Sequence, residues 1–248
     1  MDLLTVHDLL LALLVGLGAA LYSSVGHAGA SAYIALMALF GVPATTMRPT
    51  ALTLNIIVAT LASGRYLRAG LFRWRVLWPF LITAVPMAFL GGGIVLPSEI
   101  YRPLVGAVLW ISALRLFWPT RLRAETEPRD PPIVMAMLAG AFIGLLSGLT
   151  GTGGGIFLSP ILLFMRWSPV KRASGVAAIF ILANSIAGLA GNMSAVQNLP
   201  PQLPLFAAAA LVGGVVGTTL GIRLNAAVLT KCLGVVLVIA GAKMIGVY

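Results

Sequence analysis

The sequence predicts an all-helical polytopic membrane protein made of two inverted-topology repeats, and three observations lead there. Hydrophobic residues fill 60% of the 248 positions and charged ones only 9%, with a mean hydropathy of +1.04, far outside the composition of an ordinary soluble domain. The apolar sequence divides into five segments per half, in the same order and with the same punctuation. Two glycine-rich loops, Gly26-His27-Ala28-Gly29-Ala30 and Thr150-Gly151-Thr152-Gly153-Gly154-Gly155, interrupt it at corresponding places.

The segments of the first half are Leu9–Tyr22, Ala28–Phe40, Pro49–Ser63, Val76–Leu96 and Leu104–Trp118. Those of the second are Ile133–Leu146, Ile156–Met165, Ala173–Gly191, Leu203–Ile222 and Ala226–Ile245. Val76–Leu96 and Leu203–Ile222 carry no charge and, at about 1.5 Å per residue, are long enough to cross a hydrocarbon core of roughly 30 Å. Ala28–Phe40 and Ile156–Met165 reach only about 20 Å and 15 Å as helices, so each is expected to pair with the segment before it as a short or re-entrant hairpin, leaving three spanning helices per half. Gly26 corresponds to Gly151, Pro43 to Pro169, Arg48 to Arg172 and Thr50 to Ser174. Pro119–Pro132, with four prolines and Arg121, Arg123, Glu125, Glu127, Arg129 and Asp130, reads as a solvated cytoplasmic linker. The expected organisation is a membrane repeat over 1–118, a linker over 119–132 and a second membrane repeat over 133–248.

Lysines and arginines set the orientation, because positive loops stay cytoplasmic. With the Arg65, Arg68, Arg73, Arg75 loop inside, Arg115, Arg121, Arg123, Arg129, Arg166, Lys171, Arg172, Arg223 and Lys231 also fall inside, and only Arg48, Arg102 and Lys243 fall outside. Both termini are then external. A re-entrant pair adds no crossing, so each half crosses an odd number of times and the halves are inverted, the arrangement of many secondary transporters. The N-terminus lacks the basic region of a cleaved signal, so Leu9–Tyr22 is expected to remain as the first helix. The net charge of +10 is explained by this topology and does not point to nucleic acid. A single cysteine, Cys232, leaves no intramolecular disulfide or paired-thiolate metal site.

Each glycine loop opens a helix, where free N–H groups and the positive end of the helix dipole suit an anion. The clusters Gly91-Gly92-Gly93, Gly213-Gly214 and Gly217 read instead as close helix packing. The six acidic residues, Asp2, Asp8, Glu99, Glu125, Glu127 and Asp130, lie at the N-terminus, in a connection or in the linker. A cation carrier or carboxylate proton relay normally places one in the membrane. Neutral groups are available there instead: Ser23, Ser24, Thr53, Ser159 and Ser185 and, foremost, seven others, Ser31, Thr50, Asn55, Thr150, Thr152, Ser174 and Asn184, could bind an oxyanion by hydrogen bonds. The expected binding set is these seven residues with Gly26, His27, Gly29, Gly151, Gly153, Gly154 and Gly155. His27, at a loop tip, is the one histidine in the apolar body and could titrate near neutral pH. Arg48 and Arg172 either anchor helix ends at the interface or draw anions into a vestibule.

The glycine loop after the first helix of each half, the following Pro43 or Pro169, and the stretches Arg48-Pro49-Thr50-Ala51 and Lys171-Arg172-Ala173-Ser174-Gly175 resemble the TauE/SafE family of sulfite and organosulfonate exporters over nearly the whole chain. The resemblance implies a multi-pass permease of the bacterial inner membrane that exports small anions, sulfite or organosulfonate, by alternating access with no cofactor or metal. In the first loop His27, Ala28 and Ala30 stand where the family is richer in glycine, so site residues transfer more safely to the second half. An anion channel, or a carrier of another sulfur-containing or organic anion, is the competing reading; a homodimer is left open. An intramembrane enzyme is disfavoured, since no carboxylate pair is present and His27 is far in sequence from Ser147, the serine next to Gly148.

Overall fold

The computed structural model describes residues 5–24, 26–117, 129–220 and 227–246. Among the described residues the chain forms ten α helices and one 3-10 helix, with no strand. In order these are α1 (Val6–Ser24), α2 (Ala30–Leu39), α3 (Ala44–Arg68), α4 (Trp74–Gly93), α5 (Ser98–Phe117), α6 (Ile133–Thr150), α7 (Gly155–Phe164), α8 (Val170–Ala190), a 3-10 turn (Met193–Asn198), α9 (Leu203–Leu220) and α10 (Ala227–Ile245). The expected linker residues Arg121, Arg123, Glu125 and Glu127, together with Asp2, Arg223 and Tyr248, lie outside the described residues, as do the side chains of Arg115, Lys231 and Cys232.

Four helices, Val6–Ser24, Trp74–Gly93, Ile133–Thr150 and Lys171–Ala190 within α8, are apolar and long enough to cross a bilayer. The first pair of segments in each half is therefore not uniformly short. α1 has 19 residues and α6 has 18, whereas α2 and α7 have 10 each. Hydropathy alone ends the first helix near Tyr22 and the sixth near Leu146. The helices continue because Ser23, Ser147, Gly148 and Thr150 are buried against neighbouring helices rather than turned to solvent. Pro43, Pro132 and Pro169 precede α3, α6 and α8, where a missing N–H goes unnoticed.

The packing pairs exchange between halves. α4 packs along α6 and α1 along α9, α8 contacts α4 as α3 contacts α9, and α3 crosses α8 while α5 crosses α10. Small residues allow these approaches. Gly140, Gly144 and Gly148 lie against Phe80, Ala84 and Ala88, and Gly213 and Gly217 against Gly16 and Ala20. A side chain on Gly144 would meet the Ala84 backbone. Gly144→Leu should therefore lower stability by about 1–3 kcal/mol, the usual cost of overpacking. A lower midpoint of thermal unfolding in detergent checks this.

The two ends of the bundle differ in charge. At one end Arg73 pairs with Asp130 at 3.2 Å, the Arg129 amide donates to the Arg166 carbonyl, and Gly175 lies against the Leu71 carbonyl. This basic end gathers Arg68, Arg73, Arg75, Arg166, Lys171 and Arg172. At the other end Lys243 donates to the Leu39 carbonyl at 2.9 Å, closing the C-terminus of α2, and the His7 ring rests on Phe40 with centroids 4.6 Å apart.

Candidate functional site

The glycine loops are conformationally committed. Gly26, Gly29, Gly151, Gly153 and Gly154 have φ of 83°, 110°, 83°, 74° and 76°, a region that side chains disfavour. Gly29 and Gly154 are the residues before α2 and α7, and neither helix start is capped by a side chain. From the loops α2 runs toward the end marked by Phe40 and His7, while α7 runs toward the basic end at Arg166. The two half-helices thus leave the middle of the bundle in opposite directions, with their N-termini inward.

Backbone bookkeeping then isolates the donors. In the second loop the N–H groups of Thr152, Gly153, Gly154, Gly155 and Ile156 take no protein acceptor among the described residues, and in the first the same holds for Ala28, Gly29, Ala30, Ser31 and Ala32. All ten residues are buried. Buried amides are almost always satisfied by protein, water or ligand. Two rows of such donors at helix N-termini make a strongly anion-attracting locus.

Each loop also reaches into the opposite repeat. His27 Nε2 and Ser159 Oγ, on α7, are 3.0 Å apart. A Cβ on Gly155 would lie 3.6 Å from the His27 ring. Gly26 abuts Ser174 on α8, Gly151 abuts Arg48 on α3, and Gly153 sits between Asn55 on α3 and Ile181 and Ser185 on α8. Asn55 Nδ2 donates to Ser185 Oγ at 3.3 Å, tying the crossed helices together. Asn55 Oδ1, Thr50 Oγ1, Ser147 Oγ and Asn184 Oδ1 are buried with no hydrogen-bond partner in the structure. Asn184 uses its Nδ2 on the Phe180 carbonyl at 2.9 Å. It lies on the helix face shared by Phe180, which meets Gly154, and Gly188, which meets Gly148.

The expected residues therefore separate into groups. Gly26, Gly151, Gly153, Gly155, His27, Asn55, Ser174 and Arg48 are brought into contact across the two halves, whereas Gly29 and Gly154 meet side chains of their own half. Thr150 and Thr152 pair with each other, hydroxyl to hydroxyl at 3.0 Å. Ser31 and Thr50 are buried on α2 and α3. The arginines part company, as Arg172 is exposed at the basic end while Arg48 is only 8% exposed. Arg48 donates from Nη1 to the Ile94 carbonyl at 2.9 Å and from Nη2 to the Gly91 carbonyl at 3.0 Å and the Gly92 carbonyl, at the negative end of α4. Ser159 is one of many neutral polar residues that the sequence offers, with nothing there to single it out, and one further participant was not anticipated at all. Tyr101 donates to the Thr150 carbonyl at 3.3 Å, and a lone tyrosine near a helix start carries no signal of that contact. Among the described residues no group of His, Cys, Asp and Glu could hold a metal ion.

Paired half-helices with inward N-termini, packed among the apolar helices of both halves, fit a membrane transporter. The chain belongs to the TauE/SafE sulfite exporter family, whose model matches residues 10–244. It is 38% identical over 228 residues to a protein of Sinorhizobium fredii named a probable membrane transporter, covering 90% of this chain and 92% of that one. A second similar protein, named a probable membrane transporter of Methanocaldococcus jannaschii, is 28% identical over 149 residues, 59% of this chain and 55% of its own length. No solved structure matches the chain.

Proposed function

We propose that the protein is a secondary carrier of small anions, sulfite or organosulfonate foremost, which it exports across the bacterial inner membrane by alternating access. The observation that carries this reading is the set of buried amide donors without protein acceptors in the two facing loops. Asn55, Ser147 and Asn184 add neutral polar atoms beside the second loop, and among the described residues no Asp or Glu is in the loop contacts. Such a site holds an oxyanion by hydrogen bonds without trapping it in full charge neutralisation. The family description, sulfite exporter, supports the substrate class.

The exchange of packing partners between halves and the opposed directions of α2 and α7 support inverted repeats. The concentration of arginines at one end supports placing that end in the cytoplasm. In a Cys232→Ala background, Asn198→Cys should then react with an impermeant thiol reagent applied from outside intact cells, and Arg68→Cys only after permeabilisation. The reverse pattern overturns the orientation.

Counterflow in proteoliposomes tests the function itself. Vesicles preloaded with unlabelled sulfite should transiently accumulate labelled sulfite, with methanesulfonate competing and a cation such as methylammonium having no effect. Equilibration without overshoot identifies a channel, and no sulfite or sulfonate flux at all overturns the proposal.

A further inference from the structure

A cleft of about 160 Å³ opens at the end of the bundle opposite the basic one, between the start of α3, the α4–α5 connection and the 3-10 turn. Arg48, Tyr101, Thr45, Ser98, Asn192 and Asn198 line it. Two of its lining residues touch the second glycine loop, as Gly151 lies against the backbone and Cγ of Arg48 and Tyr101 donates to the Thr150 carbonyl.

Arg48 is the unusual member. It is nine-tenths buried, and among the described residues it forms no ion pair with a carboxylate. Its three hydrogen bonds go to the carbonyls of Gly91, Gly92 and Ile94. A guanidinium has five N–H donors, so two remain without a protein acceptor. Carbonyls at a helix C-terminus offset part of the cost of burying the charge, but a buried cation lacking an anion is strongly unfavourable.

From this geometry we infer that the cleft is a second anion subsite, one step outward from the glycine loops, in which Arg48 holds a compact oxyanion against the hydroxyls and amides of the rim. The inference rests on the proposed anion carriage but concerns a separate place. A water occupies about 30 Å³ of liquid, so the cleft has room for the equivalent of about five. That suits a compact oxyanion group such as sulfite, sulfate or the head of methanesulfonate.

The test is thiol labelling at Asn198→Cys in the Cys232→Ala protein, purified in detergent so that neither sidedness nor transport enters. Methanesulfonate should slow modification by a neutral methanethiosulfonate, whereas tetramethylammonium should not. The ratio of rates for anionic over cationic methanethiosulfonates should fall about tenfold on Arg48→Gln, since one charge in a low-dielectric cleft changes local ion concentration by about that factor or more. Arg48→Lys should keep most of the ratio. Methanesulfonate protection should survive Gly154→Val, which disrupts only the loop site; its loss there would reduce the cleft to an antechamber without affinity of its own and overturn the inference. Equal or absent protection by methanesulfonate and tetramethylammonium overturns it as well, and does so without any Arg48 variant. Because this assay needs no flux, failure of counterflow and failure of the cleft are read independently.

Discussion

Gly154→Val should abolish anion transport while the protein still inserts and purifies as a folded species. Gly154 precedes the first residue of α7 at φ 76°, where a side chain costs roughly 1–2 kcal/mol and a β-branched one more. Space is also lacking, as a Cβ there would lie 2.8 Å from Ile143 Cγ2 and 3.0 Å from Phe180 Cε1. The backbone must rotate to relieve this, which displaces the neighbouring loop amides. Gly154 meets α6 and α8 through Ile143, Ser147 and Phe180 but stands outside the glycine seams that join α4 to α6 and α1 to α9, so the bundle should still assemble. Gly154→Ala should be milder, with a several-fold loss of flux. Gly41→Ala is the matched control, with φ 74° but nothing within 4 Å of its Cβ. It carries similar backbone strain in the α2–α3 connection and should leave counterflow near wild type. Equal losses at Gly41 and Gly154 would make strain, not the site, responsible. Wild-type counterflow by Gly154→Val would remove the loop from the anion path.

Much of this architecture is legible in the sequence because membrane folding leaves few options. Long apolar runs become helices, and a break such as Gly151–Gly155 survives only where it is packed or lines a polar space. The ten α helices follow the ten segments in order. Their ends were less legible, since Ser23 or Thr150 lowers hydropathy whether it ends a helix or is buried within one. What the sequence could not show is which polar atoms remain unsatisfied. Thr150 and Thr152 look like ligands in one dimension, yet their hydroxyls face each other. Asn55 and Asn184 look like ordinary interhelical glue, yet each keeps an unpartnered oxygen. The Arg48 and Arg172 pair shows the limit of repeat logic most sharply. Equivalent in sequence, one is buried beneath the end of α4 and the other exposed. On the basic end it is Arg65, also on α3, that reaches the Val215 carbonyl at 3.2 Å and the hydroxyls of Thr218 and Thr219 near the end of α9.

His27→Gln should flatten the dependence of transport on pH between about 5 and 8, the range in which an ordinary histidine changes charge. His27 is half-buried at the tip of the first loop. Among the groups facing it are Ser159 Oγ at 3.0 Å, the edge of the Tyr22 ring with centroids 6.3 Å apart, and the start of α7 at Gly155. Tyr22 and Ser159 stay neutral throughout that range. Protonation adds a positive charge beside two rows of amide donors and strengthens anion binding, so wild-type flux at subsaturating anion should fall as pH rises through the histidine range. Glutamine keeps a donor and an acceptor near the same reach but has no proton to lose, and its profile should stay level at or below the wild-type alkaline value. His27→Ala should be lower still, because the bridge from one half to Ser159 of the other disappears with the ring. Ser159→Ala separates the bridge from the charge, since it removes the partner hydroxyl and leaves the imidazole to titrate. Flux in that variant should drop while its pH dependence persists. Measurements use a fixed anion gradient in proteoliposomes, with an anion such as methanesulfonate whose own ionisation lies outside the range. Superimposable profiles for wild type and His27→Gln would reduce His27 to a packing residue, and coupling would then fall to facilitated diffusion or to a cation held by backbone carbonyls at the loop ends.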